Sequence, residues 1–222
     1  PNAKAFDIGS YSFATAQYPD VSVIQSIEVL KGPASTLYGS NALGGIVSIH
    51  TWNPQDRVSS GDQWRQIRFG FNGEYNGRHG TYTHAWNGEK NGVIFNINQR
   101  DGKGMQRPST LADDHADWDQ QSVFGKWVTD VAPGHQLSFN VQAQQRDQST
   151  QIHSFIGQGR FANTTALAGD DSSESQKLSA TYDFMLNKHW ADDGLIRLYH
   201  SNTEFLQKTA ENRFSRRGTP LL

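Results

Sequence analysis

The residues best suited to chemistry are aspartates and histidines in two polar stretches of the chain. The first stretch contains Asp113, Asp114, His115, Asp117 and Asp119, and the second places His153 near Phe155 and Phe161. Carboxylate oxygens suit calcium, and an imidazole suits a transition-metal centre. The acidic stretch lacks the mid-loop glycine and terminal glutamate of an EF-hand, so we expect a solvated loop with no resident metal. His115, His153 and Phe155 are the candidate ligand-binding residues.

These residues do not indicate catalysis. The chain has no cysteine, which excludes thiol catalysis, disulfides and zinc–thiolate sites. No Ser-His-Asp set and no carboxylate pair has a spacing typical of an active site. His79 and His84 are five positions apart, which places them on opposite faces of a regular strand and not around one metal ion. We therefore expect no catalytic residues and a protein that is not an enzyme.

The composition excludes further classes of protein. The 222 residues carry 20 basic and 22 acidic side chains, a net charge of −2, which argues against nucleic-acid binding through a basic surface. Mean hydropathy is −0.68, and no run approaches the ~18 to 20 apolar residues of a membrane-spanning helix. Taken alone, these values favour one or two soluble domains.

Apolar and polar residues alternate along most of the chain after residue 55, which predicts seven β-strands. In one of them Leu137, Phe139 and Val141 alternate with Ser138 and Asn140. The predicted strands cover residues 65–76, 81–87, 93–99, 120–129, 137–144, 177–184 and 195–205.

The connections between these strands distinguish two all-β architectures. Short turns at 88–92, 130–134 and 186–194 fall at one end, and long polar loops at 102–119 and 148–173 fall at the other. This arrangement is typical of outer-membrane β-barrels, whereas a soluble β-sandwich shares only the alternation. Interfacial aromatic belts are expected near the strand ends. The tryptophans found there are Trp64, Trp86, Trp118 and Trp127.

The most specific pattern is a glycine-rich stretch before residue 55. It predicts a strand over residues 27–30, a turn at Gly32-Pro33, a glycine pair at Gly44-Gly45 and a second strand over residues 46–49. Glycine supplies the positive φ and the close backbone approach that such turns need. A phosphate-binding loop is not indicated, because the Gly-Lys-Ser/Thr ending and the following helix are missing.

This stretch resembles the C-terminal end of the plug domain of TonB-dependent outer-membrane receptors. The family pattern there is approximately Glu-Val-Leu-Arg/Lys-Gly-Pro-x-Ser-x-Leu-Tyr-Gly-x-x-Ala-x-Gly-Gly-x-Val/Ile-x-Ile. The matching residues include Glu28, Gly32, Pro33, Leu37, Tyr38, Gly39, Gly44 and Gly45. The motif Leu-Tyr-Gly-Ser-x-Ala-Leu-Gly-Gly is most similar to that of the haem and haemoglobin receptor branch. Siderophore and cobalamin receptors share much of this motif.

The resemblance implies an all-β chain with two parts. Residues 1–55 are expected to be the C-terminal part of a plug domain, and residues 56–222 the first third of an antiparallel transmembrane β-barrel. A plugged transporter barrel has about 22 strands, and an open sheet edge is not viable in lipid. We therefore expect the chain to be a fragment of a longer protein, with the TonB-contacting segment and the family's haem-ligating histidines outside it.

The resemblance also implies active import across the bacterial outer membrane. The transported ligand is then haem, haemoglobin-derived haem or a ferric siderophore, and haem or the ferric chelate is cargo, with no covalently bound cofactor. The implied partners are the TonB energy-coupling protein, the ligand (haem, haemoglobin or siderophore) and outer-membrane lipid, without nucleic acid. Two alternatives stay open: an outer-membrane barrel enzyme and a soluble β-sandwich binding module.

Overall fold

The structure, a computed structural model, describes residues 20–32, 45–73, 76–104, 114–189, 191–214 and 220–221. The regular elements in these ranges are β-strands and one-turn 3-10 helices, and the strands pair in antiparallel fashion. The expected all-β, antiparallel architecture is confirmed. Among the described residues, no helix combines the length and the hydropathy needed to cross a membrane.

Two sheets are formed by the strands of the described ranges. β1 pairs with β2, and the other strands form an eight-stranded sheet in the order β10-β9-β8-β7-β6-β5-β4-β3. Neighbours in this sheet are neighbours in sequence, so the chain runs up and down as a meander. The strands are β1 Ile24–Lys31, β2 Gly45–Thr51, β3 Asp62–Asn72, β4 Gly77–Asn87, β5 Asn91–Lys103, β6 His115–Ala132, β7 His135–Gln151, β8 Thr164–Lys188, β9 Ala191–Phe214 and β10 Pro220–Leu221.

β1 and β2 are the two strands predicted from the glycine-rich stretch. Their register places Glu28 opposite Ser48 and Lys31 opposite Gly45. Gly32 and Gly45 have φ angles of +115° and +137°, values that side chains other than glycine rarely adopt. The remaining motif residues Pro33, Leu37, Tyr38, Gly39 and Gly44 lie outside the described residues.

The seven strands predicted after residue 55 are β3 to β9, but the long loops predicted between them are wrong in extent. β5 continues to Lys103 and β6 starts at His115, while β7 continues to Gln151 and β8 starts at Thr164. In these outer parts both faces of a strand are polar, as in the run Asp-Asp-Ser-Ser-Glu-Ser at residues 170–175. Hydropathy stops alternating there, although the hydrogen-bond ladder between β7 and β8 continues.

The eight-stranded sheet buries polar side chains on one face, beside a small apolar cluster that includes Ile94 and Phe124, and exposes large apolar side chains on the other face. On β5, Asn96 and Asn98 are each 1% exposed, whereas Ile97 between them is 45% exposed. We call the face of Asn96 and Asn98 the inner face and the opposite face the outer face. A soluble β-sandwich has the reverse arrangement, with its apolar face in the core. The sandwich alternative is therefore not supported by this sheet.

Apolar side chains form a belt across the outer face. Strand register places five of them in one row: Trp86, Val93, Trp127, Phe139 and Leu198. The rings of Trp127 and Phe139 stack with their centroids 5.4 Å apart. Further toward the long-loop end, an acidic row of Asp101, Asp119 and Asp147 follows the belt. An apolar band with aromatic residues at its edge is typical of the lipid-facing side of a membrane barrel.

Only two of the four tryptophans expected in aromatic belts lie on the outer face. Trp86 and Trp127 are 42% and 43% exposed there. The expectation is wrong for Trp64, which lies opposite the fully buried Ala85, and for Trp118, which lies opposite the buried Gln148. Closeness to a strand end does not decide the face, because the face depends on whether a position is odd or even in the register.

Gly45 is the hairpin position where a side chain is least compatible with the fold. A Cβ there would collide with the Leu30 carbonyl oxygen, and the positive φ alone costs a non-glycine residue about 1–3 kcal/mol. We expect Gly45→Ala in the full-length protein to make limited proteolysis next to β1 and β2 roughly five-fold faster or more.

Gly125→Ala on β6 is the matched control, because a Cβ at Gly125 meets no atom within 4 Å. Its proteolysis rate should equal that of the wild type. Equal rates for Gly45→Ala and Gly125→Ala would contradict the requirement for glycine at position 45.

Candidate functional site

A turn at residues 20–23 docks on the inner face of the large sheet through one buried carboxylate. Asp20 is 6% exposed and accepts a hydrogen bond from the Ser22 N–H at 2.8 Å, which caps the one-turn helix Val21–Val23. The same carboxylate accepts hydrogen bonds from Asn98 Nδ2 at 2.8 Å, Arg100 Nη2 at 3.0 Å and Gln120 Nε2 at 3.1 Å. These donors replace the water that the carboxylate loses on burial.

Neighbouring side chains on the inner face hold the donor groups in place. Thr81 Oγ1 donates to Asn98 Oδ1 at 2.7 Å, so the amide of Asn98 is bonded at both ends. Asn96 Nδ2 donates to Thr83 Oγ1 at 2.7 Å, and its Oδ1 accepts from Ser22 Oγ at 3.2 Å. The buried Arg100 Nε has no hydrogen-bond partner among the described residues, and the other bonds of this network favour one specific arrangement of the turn on the sheet.

Next to this contact lies a cavity of about 20 Å³. It has room for roughly one water molecule, and apolar groups such as Phe124 line it together with polar side chains, namely Ser122, Gln142, Gln144, Ser175 and Lys177. The buried Ser122 Oγ has no hydrogen-bond partner among the described residues. The cavity is therefore suited to a bridging water between the turn and the sheet.

The segment after β2 is attached to the sheet at a second point. Lys126 Nζ on β6 donates to the Thr51 carbonyl oxygen at 3.2 Å and to Asn53 Oδ1 at 3.0 Å. Nearby, the Arg57 guanidinium lies 3.6 Å from the Trp52 ring centroid and 5.0 Å from that of Trp64. Burial lowers the pKa of Arg57, but the guanidinium keeps its charge at neutral pH and stabilises the pair of rings by cation–π attraction.

At the outer ends of β6, β7 and β8, a compact loop over residues 152–163 brings the predicted ligand-binding residues together. The exposed rings of His115 and His153 are in edge-to-face contact, with centroids 5.8 Å apart and planes at 88°. Phe155 stacks on Phe161 at 6.3 Å. Because His115 starts β6 and His153 follows the end of β7, the strand pair sets their separation.

Asp114 is the residue that fixes this loop, and sequence reasoning assigned it only to a solvated acidic stretch. Its Oδ1 accepts from the backbone N–H groups of His153 at 2.7 Å and Ser154 at 2.9 Å, and its Oδ2 accepts from Ser154 Oγ at 2.7 Å. In the sequence, only its position beside His115 points to a role for Asp114. Its hydrogen-bond partners lie about 40 positions away, so the sequence alone does not connect them.

The loop has its own apolar cluster and a charged contact at its base. Ile152, Phe161 and Leu167 are buried together with Phe155 packed against them. At the base, Glu211 accepts hydrogen bonds from Thr164 and from Arg213, and the bonds from Arg213 lower the pKa of Glu211. The carboxylate therefore stays charged at neutral pH and in mild acid.

Asp117 and Asp119 do not join this loop, because they lie on β6 in the outer-face register. Asp113 lies outside the described residues. Within the ranges that the structure describes, no group of three or more His, Cys, Asp or Glu side chains is placed to hold a metal ion.

Comparison with known proteins identifies the N-terminal part of the chain. Residues 3–46 match the family model of the TonB-dependent Receptor Plug Domain. Residues 3–46 carry the sequence of a TonB-dependent receptor plug domain. The resemblance seen in residues 27–49 is thereby confirmed, and the docked turn at residues 20–23 belongs to the matched plug segment.

Several curated proteins resemble parts of this chain. The Heme/hemopexin utilization protein C of Haemophilus influenzae is 48% identical over 52 residues, which cover 23% of this chain and 7% of the relative. The Iron-regulated outer membrane virulence protein of Vibrio cholerae is 47% identical over 45 residues, 20% of this chain and 7% of the relative. The Pesticin receptor of Yersinia enterocolitica is 33% identical over 99 residues, 41% of this chain and 13% of the relative.

Asp20 is the plug residue whose substitution tests the docking contact. In Asp20→Asn, an NH2 group replaces one carboxylate oxygen and faces the donors of Asn98, Arg100 and Gln120. The lost hydrogen bonds should lower the stability of the docked plug segment by about 1–3 kcal/mol. We expect the urea midpoint for protease resistance of the plug segment, measured in the full-length protein, to fall.

Glu28→Gln is the matched control, since Glu28 is a carboxylate in the same plug segment whose side chain is 71% exposed. Its contact with His50, at 3.6 Å, is an exposed pair of small energetic value. If both variants shifted the midpoint equally, the anchoring role of Asp20 would be rejected.

Proposed function

We propose that this chain is part of a TonB-dependent importer that carries a scarce iron-bearing ligand across the bacterial outer membrane. The ligand is haem, haemoglobin-derived haem or a ferric siderophore. The observation that carries the proposal is a plug segment docked on the polar face of a sheet whose opposite face is an exposed apolar belt.

The belt supports placement in a membrane. The exposed residues Ile67, Phe69, Val93, Ile97 and Val141 lie on the outer face of neighbouring strands. Their exposure to water would be unfavourable by roughly 25 cal/mol for each Å² of apolar surface, and lipid removes that penalty. Polar side chains then face the lumen, as in membrane barrels that hold a plug.

The contacts of the plug suggest how its C-terminal part is positioned. Asp20 and Lys126 attach the two ends of the β1–β2 segment to the inner face, so both ends of this hairpin are held at the sheet. Passage of a ligand then requires a rearrangement that the receptor does not undergo spontaneously. The TonB partner and the proton gradient supply the free energy for it.

Two of the relatives favour iron-related ligands, since they are named for haem utilization and for iron regulation. No observation on the described residues favours an outer-membrane enzyme over import.

The proposal predicts energised uptake. The complete receptor, expressed in a bacterium without its own haem receptors, should support growth with haem or with a ferric siderophore as the only iron source. Deletion of the TonB protein or collapse of the proton gradient should abolish this growth, because the plug blocks free diffusion. Uptake that persisted without the proton gradient would refute the proposal.

A further inference from the structure

We propose that His115 and His153 form a two-imidazole subsite that captures the metal centre of an incoming ligand. The inference rests on the proposed function and narrows its ligand class. The ligand is a metal centre with coordination positions that imidazole can occupy, either the iron of haem or an aquated divalent transition-metal ion. Imidazole is a good ligand for iron, copper, nickel and zinc.

The separation of the two rings fits a shared metal centre. Metal–nitrogen bonds of about 2.0–2.1 Å place the centroids of two imidazoles roughly 5 Å apart around a tetrahedral ion and roughly 6 Å apart on opposite sides of an iron. The observed separation of 5.8 Å lies between these values. The rings now meet edge to face, so one must rotate about χ2, a torsion with broad preferences. Both side chains are exposed, which keeps the cost of rotation small.

Both histidines are presented by ordered backbone. His115 lies opposite Gln151 in the β6–β7 ladder, and the Asp114 carboxylate fixes the backbone N–H of His153. The apolar cluster of Ile152, Phe161 and Leu167 supports the loop from below. Asp114 is thus a positioning residue, since it acts on the site through His153. A site on ordered elements loses little entropy when it binds.

The register places the subsite on the periphery of the receptor. His115 belongs to the outer-face set of β6, because its neighbour Ala116 lies opposite the buried Thr150 of the inner face. A ligand bound there has not entered the lumen. The subsite therefore acts in first capture of the ligand, before any contact with the plug.

The coordination chemistry predicts selectivity. Haem iron and aquated divalent ions exchange a bound ligand for imidazole, whereas a ferric ion enclosed by six oxygen donors has no free position. The subsite should bind haemin or Zn²⁺ and should not bind a ferric tris-catecholate complex.

The test is equilibrium binding to the full-length receptor in outer-membrane vesicles. Haemin is followed by its Soret band and Zn²⁺ by competition with a chromogenic chelator, for wild type, His115→Gln, His153→Gln and the double variant. We expect each single variant to raise the Kd of at least one probe about ten-fold or more, and the double variant to remove that binding event. The probe whose Kd rises identifies the metal centre as haem iron or as a divalent ion.

His189→Gln is the matched control, because His189 is exposed in a turn at the opposite end of the sheet. The Kd values of both probes should not change in this variant.

Two results would overturn the inference: unchanged binding of both probes in the double variant, or equal loss in the His189→Gln control. Gel mobility with and without heating checks that each variant is folded. Binding is measured without TonB and without a proton gradient, so its outcome is separate from the uptake experiment. Import can fail while the subsite binds metal, and the subsite can fail while import continues.

Discussion

A buried carboxylate that must be supplied with hydrogen-bond donors constrains the whole architecture. Asp20 has lost its water, and three of its donors come from β5 and β6. These donors share the inner face with the buried apolar residues Ile94 and Phe124. The alternating side chains of the same strands face outward, and within the belt they are apolar and need a lipid environment or an apolar partner. The contact that holds the plug segment therefore fixes which face of the sheet is turned inward.

Local patterns predicted the strands well, because alternation reports which residues share a face. The β1–β2 pair also followed from sequence, since Gly32 and Gly45 mark backbone that other residues rarely adopt. Strand ends were predicted poorly. Where a strand extends past the apolar belt, as in residues 170–175, both of its faces are polar, and hydropathy no longer distinguishes a ladder from a loop.

The contacts around Asp20 and around the histidine pair could not be predicted from the sequence, for a different physical reason. Asp20 is separated by 78 residues from Asn98 and by 100 from Gln120, and each of these residues is an ordinary polar residue in its own neighbourhood. Their importance arises only when the register brings them together. His115 and His153 were selected for their chemistry alone, and their contact depends on the pairing of β6 with β7 and on the Asp114 carboxylate.

The length of the strands beyond the belt decides what can approach the outer ends of the sheet. β8 has 25 residues, whereas a tilted strand crosses a bilayer with about 9–11. On β6, Val123 in the belt and His115 are eight positions apart, roughly 25 Å along the strand. If the belt lies in lipid, as the proposed function requires, the histidine pair lies beyond the headgroups. On that proposal, a bulky carrier of the metal centre would reach the pair without entering the membrane surface.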